Sequence, residues 1–130
     1  MRAAARGMEA LGVGADLVLT SPLIRCRQTA EIVCERLGGE PREDPRLEPG
    51  MGLDELDEAL AEHPDAGAVL VCGHQPDLSD VVADLTGGGF VEFRKGSLAL
   101  LEVGAVRPAG GRLRALYPPA ALRALGGVGP

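Results

Sequence analysis

A chain of 130 residues suits one domain that buries roughly two-thirds of its unfolded surface. A net charge of −6 without any Lys/Arg-rich tract argues against general binding to nucleic acid or to an anionic membrane, so a cationic site must be small and focused. Hydrophobic content is 45% but aromatic content only 2%, which leaves Leu, Val and Ala to fill the core, and the spacing of Cys26, Cys34 and Cys72 argues against a disulfide framework or a zinc knuckle.

Met1–Leu11, rich in Ala, Arg, Met and Glu, predicts a helix ended by Gly12, although no capping residue precedes it. Leu17–Thr20 reads as a buried strand. The pattern changes at Thr20-Ser21-Pro22, where Ser21 fits an N-cap and Pro22 the first helical position, so a helix is expected over Pro22–Leu37 with Gly38-Gly39 closing it. Glu40–Gly52 holds three prolines and many charges and predicts a surface loop. Asp54–Glu62 returns to helix, with Leu53, Leu56 and Leu60 on one face and Pro64 beyond its end.

Ala68–Cys72 is an unbroken apolar run of strand length, the pattern of a parallel strand covered on both faces. A helix over Leu78–Leu85 follows, with Asp77 as its N-cap and Asp80 in its first turn. Gly87–Gly89 breaks the pattern, and Phe90–Phe93, Ser97–Val103 and Arg112–Tyr117 read as short strands, the last two as a hairpin. A short Ala120–Leu125 stretch and a Gly/Pro end expected to fray complete the chain. The order predicts a single α/β domain over residues 1–130, with three layers and a mainly parallel sheet carrying helices on both faces. Reduced thiols, short apolar runs and the lack of a signal-peptide core point to a soluble, cytoplasmic protein.

In such sheets ligands bind beyond the carboxyl ends of the strands. Arg25 follows the strand at 17–20, falling at about the fourth helical position, and His74 follows the strand at 68–72. A cation is disfavoured at a helix start unless an anion lies between it and the free amides, so a guanidinium and an imidazole aimed at one crevice describe a phosphate site. A solvated arginine and a hydrogen-bonded loop histidine are the plain alternatives. His63 sits at an acidic helix end and reads as structural. Cys72 with His74 lacks a second ligand pair, so no metal is expected, and Gly87–Gly89 lacks the Lys-Ser/Thr of a phosphate loop. Glu48, Asp54 and Asp57 are the carboxylates nearest the crevice, and the sequence does not select a general acid among them.

The combination Thr20-Ser-Pro-Leu-Ile-Arg25-Cys-Arg-Gln-Thr29-Ala-Glu31, Leu47-Glu-Pro-Gly50, Val69-Leu-Val-Cys-Gly-His74-Gln-Pro76 and Phe93-Arg-Lys-Gly-Ser-Leu-Ala-Leu-Leu101 resembles the histidine phosphatase superfamily, in particular its small SixA-like phosphohistidine phosphatases. The resemblance implies a phosphoglycerate mutase-like fold. Arg25 would be the second phosphate-binding arginine and His74 the pocket histidine that clamps phosphoryl oxygens, without cofactor or metal. The substrate would be a phosphomonoester or a phosphoramidate, including a phosphohistidine-bearing protein domain, with no nucleic-acid or membrane partner. Family members open on a strand ending in Arg-His-Gly, whose histidine is transiently phosphorylated. That tripeptide does not occur here, so the resemblance implies an N-terminally truncated domain that lacks its first strand and is inactive or nearly so. A non-catalytic phosphate- or phosphohistidine-binding module and a small-molecule phosphomonoesterase are the alternatives.

Overall fold

Leu17–Thr20 (β1) lies at the centre of a three-stranded parallel sheet, between Pro41–Glu43 (β2) and Val69–Cys72 (β3), in a computed structural model that describes residues 1–127. The register pairs Thr20 with both Glu43 and Cys72, so the three strands end level with one another. The expected fraying of the Gly/Pro end falls largely on residues 128–130, outside the described residues.

Side chains alternate across this sheet and thereby sort the helices into two layers. Leu19, Val69 and Val71 pack on one face with Leu56 and Ala59 of Leu53–Ala61 and Val81 and Leu85 of Asp77–Leu85. On the opposite face, Val18 meets Ala30 and Cys34 of Ile24–Leu37, while Leu70 also meets Ala4, Ala5 and Met8 of Arg2–Ala10. We number these helices α1 (2–10), α2 (24–37), α3 (53–61) and α4 (77–85). The three-layer α/β arrangement with a parallel sheet is therefore as expected, and the cores are built from aliphatic side chains.

Leu98–Val103 (β4) and Gly111–Tyr117 (β5) form the expected antiparallel hairpin. It is a separate two-stranded sheet. Its side chains nonetheless feed the same two layers: Leu101 joins the core under α3 and α4, and Leu98 and Leu100 join the core under α1. Pro119–Leu125 (α5) closes over α1, and Leu122 is 1% exposed in that contact. Among the described residues no helix is long and apolar enough to cross a membrane.

Four local expectations are corrected. Glu40–Gly52 is not all loop: Pro41–Glu43 is an edge strand and Pro45–Leu47 a short 3-10 turn. Proline is tolerated as the first residue of an edge strand, and Asp44 N–H extends the pairing by donating to Thr20 O at 2.9 Å. Phe90–Phe93 carries no strand, because Gly87, Gly88 and Gly89 all take positive φ and lead the chain away from any partner, with Phe90 fully exposed. α2 begins at Ile24, since Leu23 holds an extended ψ of 143°, so Arg25 is the second helical residue and not the fourth. α4 begins at Asp77 with Pro76 as its cap, so Asp77 is helical and not the N-cap.

Candidate functional site

Because β1 and β3 end level, the residues just beyond them are forced together. Ser21 N–H donates to Cys72 O at 3.0 Å, which closes the pair of strands and leaves Ser21 fully buried. Its hydroxyl then serves two partners: it accepts from Leu23 N–H at 3.3 Å and lies 2.8 Å from His74 Nε2. Ser21 thus caps the α2 start only through the Leu23 amide, and its main polar partner is an imidazole 53 residues away.

Cys26 completes the seat of that ring. Its Sγ lies 3.5 Å from His74 Nε2 and 3.7 Å from Nδ1, and donates to Gly73 O at 3.3 Å. Near-equal distances to both nitrogens set the sulfur against the body of the ring, so the imidazole is gripped by a hydroxyl at one nitrogen and a thiol alongside. His74 O meanwhile accepts from Leu78 N–H at 2.9 Å, which ties the loop to the first turn of α4.

Burial pushes the Cys26 thiol up, against the opposing hydrogen bond from Ser21, and pushes Cys72 up to about 12, with the neighbouring Cys26 and Cys34 adding to it. Both sulfurs therefore stay neutral at physiological pH. No thiolate repels an anion from this end of the sheet.

Arg25 is next to Cys26 on the first turn of α2 and is exposed. Among the described residues it makes no salt bridge, whereas Arg27, two residues on, engages Glu31 and Glu43. The first turn of α2 contains no acidic residue, so the guanidinium and the open amides are not neutralised from within the helix.

The 47–51 segment reaches the start of α4. Leu47 and Met51 are buried at 0% and 4% exposure, and between them Glu48-Pro49-Gly50 arches outward. Gly50 N–H donates to Asp77 Oδ2 at 2.7 Å, with Gly50 at φ 105°, so the arch is pinned to the start of α4. Of the three carboxylates considered from sequence, Glu48 belongs to this arch, while Asp54 and Asp57 are exposed on α3.

His63 follows α3 and is separate from this constellation. It lies by Asp44, which is 5% exposed and held below the usual carboxylate range chiefly by its hydrogen bond to Arg46; the His63 charge is the last contributor. Arg46 also reaches Glu62 at 2.6 Å, so the cluster is a structural ion network. The sequence singles out Arg25 and His74 as candidates; it does not reveal that Ser21 and Cys26 contact His74 or that Asp77 holds Gly50. The available clue was that Ser21 and His74 stand one and two positions past two adjoining strand ends.

Comparison with known proteins gives a family match over part of the chain, a sequence relative and a similar fold. Residues 1–50 match the model of the histidine phosphatase superfamily (branch 1). An uncharacterized protein of Picosynechococcus sp. is 39% identical over 111 residues, covering 79% of this chain, and the chain spans 66% of that relative's length. The fold is similar to that of a crystal structure from Agrobacterium tumefaciens described as a phosphohistidine phosphatase, SixA, with a TM-score of 0.65, 20% identity, and coverage of 91% of this chain and 79% of the other.

Proposed function

We propose that the chain is a domain of the histidine phosphatase superfamily, whose model its residues 1–50 match, and that the crevice at the ends of β1 and β3 binds the phosphoryl group of a phosphohistidine or phosphomonoester substrate for hydrolysis. The observation that carries this reading is the seating of His74 by Ser21 at 2.8 Å, beside the helix turn whose Arg25 is left unpaired. With Nε2 engaged by the serine hydroxyl, Nδ1 is the nitrogen left for a phosphoryl oxygen. Arg25 supplies a planar fork of donors for the remaining oxygens. Fixed donors of this kind stabilise the charge spread over a transferring phosphoryl group.

Hydrolysis through a phosphohistidine intermediate needs a second imidazole as nucleophile. The chain has two histidines; His74 is committed to the clamp, and His63 sits with the Asp44–Arg46 network. Residues 1–130 by themselves therefore bind phosphoryl groups with little or no turnover. This same point favours the second reading, a non-catalytic phosphoryl-binding module. In either case the protein works in the cytoplasm on phosphorylated substrates.

Titration with inorganic phosphate, followed by NMR or calorimetry, tests the site. Arg25→Ala and His74→Ala should each weaken binding by at least about tenfold, the loss of one charge-assisted hydrogen bond; Arg25→Ala should keep the melting curve, whereas His74→Ala should lower stability by about 1–2 kcal/mol because it takes the imidazole from the buried Ser21 hydroxyl. Unchanged affinity in either variant removes that residue from the pocket. Hydrolysis of a phosphohistidine-bearing protein, compared between residues 1–130 and the same chain extended to the next upstream in-frame start, separates the two readings: turnover in the extended chain alone supports the enzyme. Turnover by residues 1–130 would overturn the claim that they lack the nucleophile.

A further inference from the structure

We propose that Ser21 is a positioning residue that fixes His74 in the tautomer with its proton on Nδ1, so that a neutral ring offers Nδ1–H to a phosphoryl oxygen. The inference rests on the phosphate-binding reading of the crevice and adds which ring nitrogen carries the proton and what places it there. The groups around the ring hold few protons. The Cys26 thiol has one, and its shortest contact is Gly73 O at 3.3 Å, against 3.5 and 3.7 Å to the two ring nitrogens, so that proton is spent on the backbone. The Ser21 hydroxyl has one proton and two lone pairs, and Leu23 N–H takes one lone pair at 3.3 Å. Ser21 is 0% exposed, so bulk water does not reach the hydroxyl. Its proton has two destinations, His74 Nε2 at 2.8 Å and the Cys26 sulfur.

Two arrangements follow. If Nε2 is bare, Ser21 donates its O–H to the ring nitrogen, and the proton of the neutral imidazole sits on Nδ1. If Nε2 carries the proton, it donates to Ser21 Oγ beside the Leu23 amide, both lone pairs are used, and the hydroxyl proton is left with a thiol sulfur, a weak acceptor. At a buried group no solvent makes up the difference between the two bonds, so the first arrangement prevails. An imidazole free in water favours the opposite tautomer, and the seat at the ends of β1 and β3 works against that default. The choice matters for the ligand: a bare Nδ1 would set its lone pair against those of a phosphoryl oxygen, whereas Nδ1–H donates to it, with Arg25 supplying the charge.

The test reads the ring directly. The chain is labelled with 15N and observed without phosphate at a pH of about 8.5, where an ordinary imidazole is neutral. The two-bond 1H–15N pattern tells a protonated ring nitrogen from a bare one, and the signals of the other histidine are identified by their loss in His63→Gln. His74 should show a protonated Nδ1 and a bare Nε2; a protonated Nε2, alone or with Nδ1, overturns the proposal. Ser21→Ala should shift the pattern toward the opposite tautomer and weaken binding of inorganic phosphate about fivefold, because binding then draws on a minor form of the ring. An unchanged pattern in Ser21→Ala overturns Ser21 as its cause. Ser21→Cys fills nearly the same space with a weaker donor and puts the same question if Ser21→Ala does not fold. Added phosphate should shift the Nδ1 resonance of the unaltered chain. Bound phosphate that leaves Nδ1 unmoved overturns the donor role, whereas the expected tautomer with no phosphate binding supports the assignment of the proton and fails the phosphate-binding reading.

Discussion

Ser21 is fully buried yet leaves no polar atom unsatisfied: its N–H goes to Cys72 O, its carbonyl accepts from Thr20 Oγ1 at 2.9 Å, and its hydroxyl meets Leu23 N–H and His74. Removing the hydroxyl leaves the His74 nitrogen and the Leu23 amide to find other partners. Ser21→Ala should therefore lower stability by about 1–2 kcal/mol, read from urea unfolding, and weaken phosphate binding by releasing the ring. A variant with unaltered phosphate affinity would reduce Ser21 to a structural residue. Arg25 and His74 stand out in the sequence as candidates because each follows a local change from strand to helix pattern. The Ser21–His74 and Cys26–His74 contacts do not, since they span 53 and 48 residues and depend on the strand register. Local rules cast Ser21 as a helix cap, and a tertiary partner took most of its hydroxyl.

Helices α1 and α5 owe their close approach to missing side chains. A Cβ at Gly7 would stand 2.1 Å from Leu122 O, and one at Gly126 would stand 2.2 Å from Ala3 O, both backbone atoms that cannot swing aside. Gly7→Ala should destabilise the fold by about 1–3 kcal/mol despite alanine's better helix propensity, as measured by the urea midpoint. Gly14→Ala, in open space, is the control and should leave that midpoint in place. Periodic elements such as α3 and β3 were readable because their apolar spacing is set within a few residues. The edge strand β2 was not: Pro-Arg-Glu has no strand pattern of its own, and pairing with β1 alone makes it one. The Asp77–Gly50 bond was hidden for a related reason, as aspartate at a helix start reads as a cap until a neighbouring arch claims its carboxylate.

At the scale of the whole molecule, the order of strands and helices and the continuous apolar run of β3 announced a layered parallel sheet, and the layers are those observed. Pattern alone did not reveal that the hairpin stands as its own sheet, because alternation specifies which layer a side chain enters and not which backbone it bonds. One consequence concerns mass action. All four residues of β3 are only half-buried, its sequence Val-Leu-Val-Cys carries no charge, and on the side away from β1 no strand pairs with it among the described residues. Another copy of the chain offers the same backbone groups, so unfolding should depend on protein concentration. If copies associate as dimers, a hundredfold rise in concentration is worth up to about 2.7 kcal/mol and raises the melting temperature, with sedimentation reporting the larger species. A melting temperature independent of concentration, with a monomer throughout, would mean that β3 keeps its spare hydrogen bonds for water.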